Sequence, residues 1–269
     1  GIALDLLSLQ VDSVIYNNSN LSYSYNDTLL LISMPSALNT ADTVSIKIFY
    51  QGLPVIDPSG WGGFYFSSDS AFAFNLGVGF ESVPHNFGRV WFPCIDDFID
   101  RATYDCHIRV ENKNTVVCGG TLISTTNNGD STRTFYWRIK DDIPSYLASI
   151  AVGNYVSVNS SFDGINGNVP VAIYVPAYDT THAKSSFVNL DTILHIYENR
   201  FGPYRWERVG YVGVPFNSGA MEHSTNIAYP LYAIDGTTNY EDLYAHELSH
   251  EWFGDLVTCA SAEDMWINE

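Results

Sequence analysis

The apolar residues of this chain change their spacing part-way along, and that change fixes what kinds of structure it can form. In the first 160 residues they alternate with polar ones. Leu7, Leu9 and Val11 alternate with Ser8, Gln10 and Asp12. Val44, Ile46, Ile48 and Tyr50 repeat the pattern, then Phe72, Phe74, Leu76 and Val78, then Phe135, Trp137 and Ile139. A period of two puts such side chains on one face of a strand. Asn17 to Asn20 and Asn127 to Asp130 supply turns between them. Aromatic residues make up 14% of the chain, and that bias also favours strands.

Beyond residue 160 the pattern shifts. Phe162 to Asn168 is rich in Gly and Asn and reads as a linker. One more apolar strand follows, Val169 to Val175. Ala183, Phe187, Leu190, Leu194, Tyr197 and Phe201 then recur at spacings of four and three. That is one amphipathic helix, ended by Gly202-Pro203. A second helix is expected over Tyr240 to Phe253. A third is expected from Ser261, where Ser261 and Asp264 fit a capping box. The chain thus divides into a β domain over 1–160 and the first part of an α/β domain over 161–269.

Length and composition set limits. With 269 residues, 46% of them hydrophobic, the chain can bury a sizeable core. Thirty acidic residues against twelve basic ones give a formal charge of −18. Such a surface repels phosphate backbones, so nucleic acid is not an expected partner. No apolar run reaches membrane-spanning length, and the opening residues carry no signal-peptide pattern. A secreted or periplasmic location is preferred over a cytoplasmic one. Cysteines stand at 94, 106, 118 and 259, and none forms a C-x-x-C pair. Cys106 and Cys118 flank an expected hairpin centred near Asn112 and Lys113. They could face one another across it, but reduced thiols are the preferred reading.

The chemistry lies near the end of the chain. His246-Glu247-Leu248-Ser249-His250 is an H-E-x-x-H pattern. On a helix, positions i and i+4 share a face, so two imidazoles can hold one Zn²⁺. Glu247 then projects beside the metal, where it can take a proton from water. Glu269, separated from His250 by eighteen residues, supplies a third ligand from the expected third helix, about two turns in from Ser261. Two His and one Glu form the ligand set of hydrolytic zinc sites, which leave a fourth position open. By contrast, His85, His107, His182 and His195 have no neighbours at ligand spacing and read as packing or surface residues.

With these residues in view, the chain resembles the aminopeptidase N family of gluzincins, which includes leukotriene hydrolase. His246 to Thr258 is similar to that family's metal helix, and Asp264 to Glu269 to its W-x-N-E segment. Gly219-Ala220-Met221-Glu222-His223 resembles the exopeptidase motif G-[AG]-M-E-N. Weaker echoes are Trp91 to Asp96, Pro144 to Leu147 and Ala151 to Gly153.

The resemblance implies a saddle-like, mostly β N-terminal domain followed by a thermolysin-like catalytic domain. It implies one Zn²⁺ and peptide substrates with a free N-terminus. Glu222 would bind the substrate's α-amine, with Gly219, Ala220 and Met221 along the substrate. A carboxylate gives a bound ammonium a charge-assisted partner and confines cleavage to the first residue. His223 replaces the motif asparagine. The preferred reading makes it a support behind the site, and the alternative is a group titrating near neutral pH.

The family's transition-state tyrosine lies beyond its zinc glutamate, so no residue here is assigned that role. The family's first strands are expected to be missing as well. The chain as given is accordingly expected to hydrolyse peptides poorly and to hold zinc weakly. Two other functions remain open at this stage: a zinc endopeptidase, and a non-catalytic binding protein on the same scaffold. Epoxide hydrolysis as a second activity also stays open.

Overall fold

The computed structural model describes residues 1–269 and is mostly β. The first part contains four antiparallel sheets. Ile2–Asp5, Leu29–Ile32 and Tyr23–Tyr25 form one, in that order. Ser19–Asn20, Gln10–Tyr16 and Ile46–Gln51 form a second. The third runs Thr115–Cys118, Ile150–Gly153, Ala73–Leu76, Gly63–Phe66. The fourth has the long strand Thr132–Pro144 between Thr121–Asn127 and Arg101–Glu111. Half-buried faces follow the alternating pattern: along Arg101–Glu111, exposed and partly buried residues take turns from Asp105 onward.

The second part opens with a mixed sheet. Tyr155–Gly164 pairs antiparallel with Gly167–Pro176, and Val209–Val214 and Ile227–Pro230 continue it in parallel. Val209–Val214 is buried at every residue. Its near-continuous apolar run is what a strand covered on both faces requires. Helices α1 (Thr180–Ser186), α2 (Leu190–Phe201) and α3 (Glu241–Ser249) pack nearby. One cluster of 44 buried residues runs from Phe64 to Trp252, so the two parts share a single core. The outer strands have only a small core of their own, around Val14, Leu30 and Ile32.

Several elements differ from the sequence reading. The alternation over Leu7 to Asp12 is not one strand: the chain bends at Ser8, whose φ is +57°. The expected linker, Phe162 to Asn168, is a hairpin tip with Gly164 opposite Gly167. Buried Glu198 on α2 fixes it by accepting from the Ile165 amide (2.8 Å), and it accepts from the Tyr204 amide as well (2.8 Å). The strand Tyr155–Gly164 therefore belongs to the sheet of the second part.

The single helix expected from Ala183 to Phe201 is two. Phe187 turns inward against Tyr211 and Tyr244, both at 4.8 Å between centroids. The Asn189 side chain donates to Glu241 across the gap. The hairpin expected near Asn112 has its turn, but Thr115–Cys118 pairs with Ile150–Gly153 rather than with its neighbour in sequence. All four cysteines are free thiols.

Candidate metal centre and active site

Helix α3 sits on the mixed sheet by burying Tyr244 and Leu248. Three tyrosine hydroxyls fix its backbone. Tyr229 donates to the Tyr240 carbonyl (3.0 Å), Tyr211 to Tyr244 (2.9 Å) and Tyr197 to Ala245 (2.9 Å). The helix is shorter than expected, since it ends at Ser249 with His250 as its C-cap. Gly254, at φ +139°, turns the chain back, and the Asp255 amide donates to the His250 carbonyl (2.9 Å). His250 keeps helical dihedrals, so the i, i+4 relation to His246 survives.

Glu269 arrives differently from the expectation. The expected third helix is a 3₁₀ turn over Ala262–Ile267, and Ser261 makes no side-chain cap. Its closing bonds run from the Asp264 amide to Ser261 and from the Asn268 amide to Met265. These i to i+3 bonds tighten the turn and leave the capping box unformed.

The three ligand candidates converge. His246 Nε2 and His250 Nε2 are 3.2 Å apart. Glu269 Oε2 lies 3.4 Å from the first and 3.9 Å from the second. Their ligand atoms all fall within 4.8 Å of one another. Zinc–nitrogen bonds of about 2.0–2.1 Å at tetrahedral angles require ligand separations of about 3.3 Å.

The histidine tautomer also fits a metal. His250 Nδ1 is 3.1 Å from the Phe253 carbonyl, which can only accept. Nδ1 therefore carries the proton, and the Nε2 lone pair faces the other two ligands. Hydrogen bonding to Glu269 raises the pKa of His246 and, reciprocally, holds Glu269 below the usual carboxylate range.

Glu247 and Glu222 line the same cavity as the three ligands, a space of about 620 Å³. Both are buried. Burial pushes Glu247 well above the usual carboxylate range, with Glu222 and Glu269 adding repulsion. Burial also raises Glu222. Both directions belong to the metal-free protein; a dication among these carboxylates favours their charged forms.

The loop carrying Glu222 is held from many sides. Trp61 Nε1 donates to the Ser218 carbonyl (2.9 Å). Met221 exchanges both backbone hydrogen bonds with Ala228 (3.0 and 2.9 Å). Thr225, at φ +60°, donates its amide to Glu251 (2.9 Å) and its carbonyl accepts from Arg208 (2.7 Å). His223 Nε2 meets the Asn75 side-chain amide at 3.3 Å. Such multiple support pre-organises a binding carboxylate.

Of the sequence-derived site residues, Gly219, Ala220, Glu222, His246, Glu247, His250 and Glu269 all line the cavity. Met221 does not. Its side chain is fully buried and its backbone groups are taken by Ala228, so it serves the loop rather than a substrate. His223 is a buried support. Burial depresses its pKa to about 3, which removes the alternative of titration near neutrality. Sequence reasoning missed Trp61, Phe80 and His85, which line the cavity from the β part. No local spacing marks them, because they come from loops more than 150 residues before the metal helix.

The comparisons with known proteins agree with this geometry. Residues 2–147 match the Peptidase M1 N-terminal domain and residues 186–269 the Peptidase family M1 domain.

The chain belongs to peptidase family M1.

Leucine aminopeptidase 2 of Yarrowia lipolytica is 26% identical over 278 residues, covering 100% of this chain and 40% of that protein. Human aminopeptidase B is 26% identical over 254 residues, covering 92% of this chain and 36% of that protein. The chain thus spans well under half the length of these relatives. A crystal structure of an M1 zinc metallopeptidase from Deinococcus radiodurans superposes with a TM-score of 0.85 at 22% identity. That match covers 100% of this chain and 60% of the other. At that identity the match shows the fold.

Proposed function

We propose that this chain carries the metal centre, the catalytic base and the amine-binding carboxylate of a zinc-dependent aminopeptidase. The reaction is removal of the first residue from peptides with a free N-terminus. The observation that carries the reading is the convergence of His246, His250 and Glu269 in one cavity with two further buried carboxylates, Glu247 and Glu222.

His246 Nε2, His250 Nε2 and the Glu269 carboxylate would hold one zinc ion per chain. Bound there, zinc supplies Lewis-acid polarisation of a carbonyl and acidification of water. Glu247, one residue from the first ligand, takes the proton from the attacking water and returns it to the leaving amine. Its burial excludes bulk water from that exchange. Glu222 binds the substrate ammonium. A buried carboxylate makes a strong charge-assisted hydrogen bond to such a group, and the loop around it fixes its distance from the metal.

The test compares one peptide with its N-acetylated form, using the zinc-loaded protein expressed from its intact gene. Release of the first residue from the free peptide alone is the expected result. Cleavage of both at similar rates, at internal bonds, would instead identify an endopeptidase. Binding without cleavage of either would identify a non-catalytic scaffold.

A further inference from the structure

The cavity has a second wall that the metal and its carboxylates leave unused. Trp61 and Phe80 stack with ring centroids 4.6 Å apart and planes 10° apart. Phe216 meets Trp61 edge-on at 5.8 Å. The indole is fixed against the loop of Glu222 by its bond to Ser218, and a β-carbon placed on Gly219 would lie 3.5 Å from Trp61 Nε1. Trp61 is therefore a rigid platform beside the amine-binding carboxylate. Phe80 is 61% exposed, yet it lines the cavity. A large aromatic left open on a cavity wall, next to convergent polar groups, is the usual anatomy of a small-ligand subsite.

The charges around this wall narrow the ligand. No Lys or Arg lines the cavity, and its three carboxylates are Glu222, Glu247 and Glu269. All three have roles at the metal, the water and the amine. Asp57, behind Gly79, accepts from Ser59 and from the amides of Glu81 and Ser82. It is buried and does not line the cavity, so it offers no partner to a guanidinium there.

We infer that Trp61 and Phe80 receive the side chain of the substrate's first residue, and that the substrates are peptides beginning with Phe, Tyr or Trp. The inference rests on the proposed role of Glu222. With the α-amine held by Glu222, the side chain on the same carbon must lie close to the Gly219–Ala220 backbone, where Trp61 sits. An aromatic ring there covers the open face of Phe80 and gains offset stacking. An acidic first residue finds no Lys or Arg on the cavity lining to pair with. A basic one finds π faces but no free carboxylate.

Two measurements on the zinc-loaded protein from its intact gene test this. One is kcat/KM on tripeptides X-Ala-Ala with X as Phe, Leu, Ala, Arg or Glu. The other is calorimetric binding of L-phenylalaninamide and L-alaninamide. Phe should exceed Ala by at least about tenfold in both, with Arg and Glu below Phe. Phe80→Ala should collapse the Phe-over-Ala ratio, and Phe80→Tyr should keep it. Phe80 is mostly exposed, so both variants should keep the melting temperature. A preference for Arg or Glu, or a Phe-over-Ala ratio that survives Phe80→Ala, would overturn the inference. The two proposals fail separately. Selective binding without hydrolysis sinks the peptidase reading and leaves the subsite standing, whereas hydrolysis without selectivity does the reverse.

Discussion

The two walls of the cavity are made in opposite ways. The charged wall comes from two short stretches, Gly219 to Glu222 and His246 to Glu269, and its key groups are buried or paired. The aromatic wall comes from the β part and presents Phe80 largely open. Where position must be exact, as for a metal and a proton-transfer base, the fold surrounds each group with fixed partners. Where the ligand is to be a variable side chain, it leaves apolar surface free. Chemistry is thereby assigned to one wall and selectivity to the other.

The comparison breaks most readily at Glu247. Replacing it with Gln keeps the shape and removes the base. Turnover should fall about 10²- to 10⁴-fold with zinc content unchanged, as read by steady-state kinetics and metal analysis on the same sample. Retained turnover would move proton transfer to another residue.

A smaller loss is expected from Glu222→Ala, on the order of 10- to 100-fold in kcat/KM for free peptides. The discrimination between free and N-acetylated peptides should shrink with it. If the variant still rejects blocked peptides as strongly as before, the amine is held elsewhere.

His223 joins the two parts through Asn75, and its effect should appear in stability. Its pKa is about 3 in the folded protein because it is buried, against about 6.5 when unfolded. Between these values the unfolded chain binds a proton that the folded chain does not. The stability contributed by neutral His223 is therefore complete above about pH 6.5 and declines as pH falls towards 3. His223→Asn removes this dependence. Relative to the parent it should gain about 1.4 kcal/mol for each pH unit lost inside that window. Denaturant melts that show a constant difference across the window would contradict the assignment.

The smallest effect concerns the thiols. Cys106 and Cys118 are close enough to hydrogen-bond, yet both are free. Intact mass with and without reductant should agree, and a reducible Cys106–Cys118 link would show that the pair is oxidised in use.

How much of this was legible beforehand follows the same division. Period-two runs marked the strands at Ile46–Gln51, Ala73–Leu76 and Thr132–Pro144. The metal residues were legible because helical spacing puts His246 and His250 on one face by local geometry alone. What was not legible depended on distant partners. The break before α2 arises because the aromatic cluster around Tyr211 and Tyr244 draws Phe187 inward. The partner of Thr115–Cys118 is decided by the Ile150–Gly153 strand, not by the adjacent turn. Capping signals at Ser261 lost to backbone i to i+3 bonds. Trp61, Phe80 and His85 carry no spacing signal, and only the folded sheet brings them to the cavity.

The central claim is that three side chains converge on one metal. The most direct measurement is zinc stoichiometry and affinity, by metal analysis and chelator competition, for the protein and for His250→Ala, Glu269→Ala and Phe80→Ala. One zinc per chain is expected in the parent and in Phe80→Ala. Outer partners of a ligand alone are worth about 10- to 100-fold in affinity, so losing a ligand should cost more than about 100-fold. Zinc bound equally well after loss of His250 and Glu269 would contradict the account.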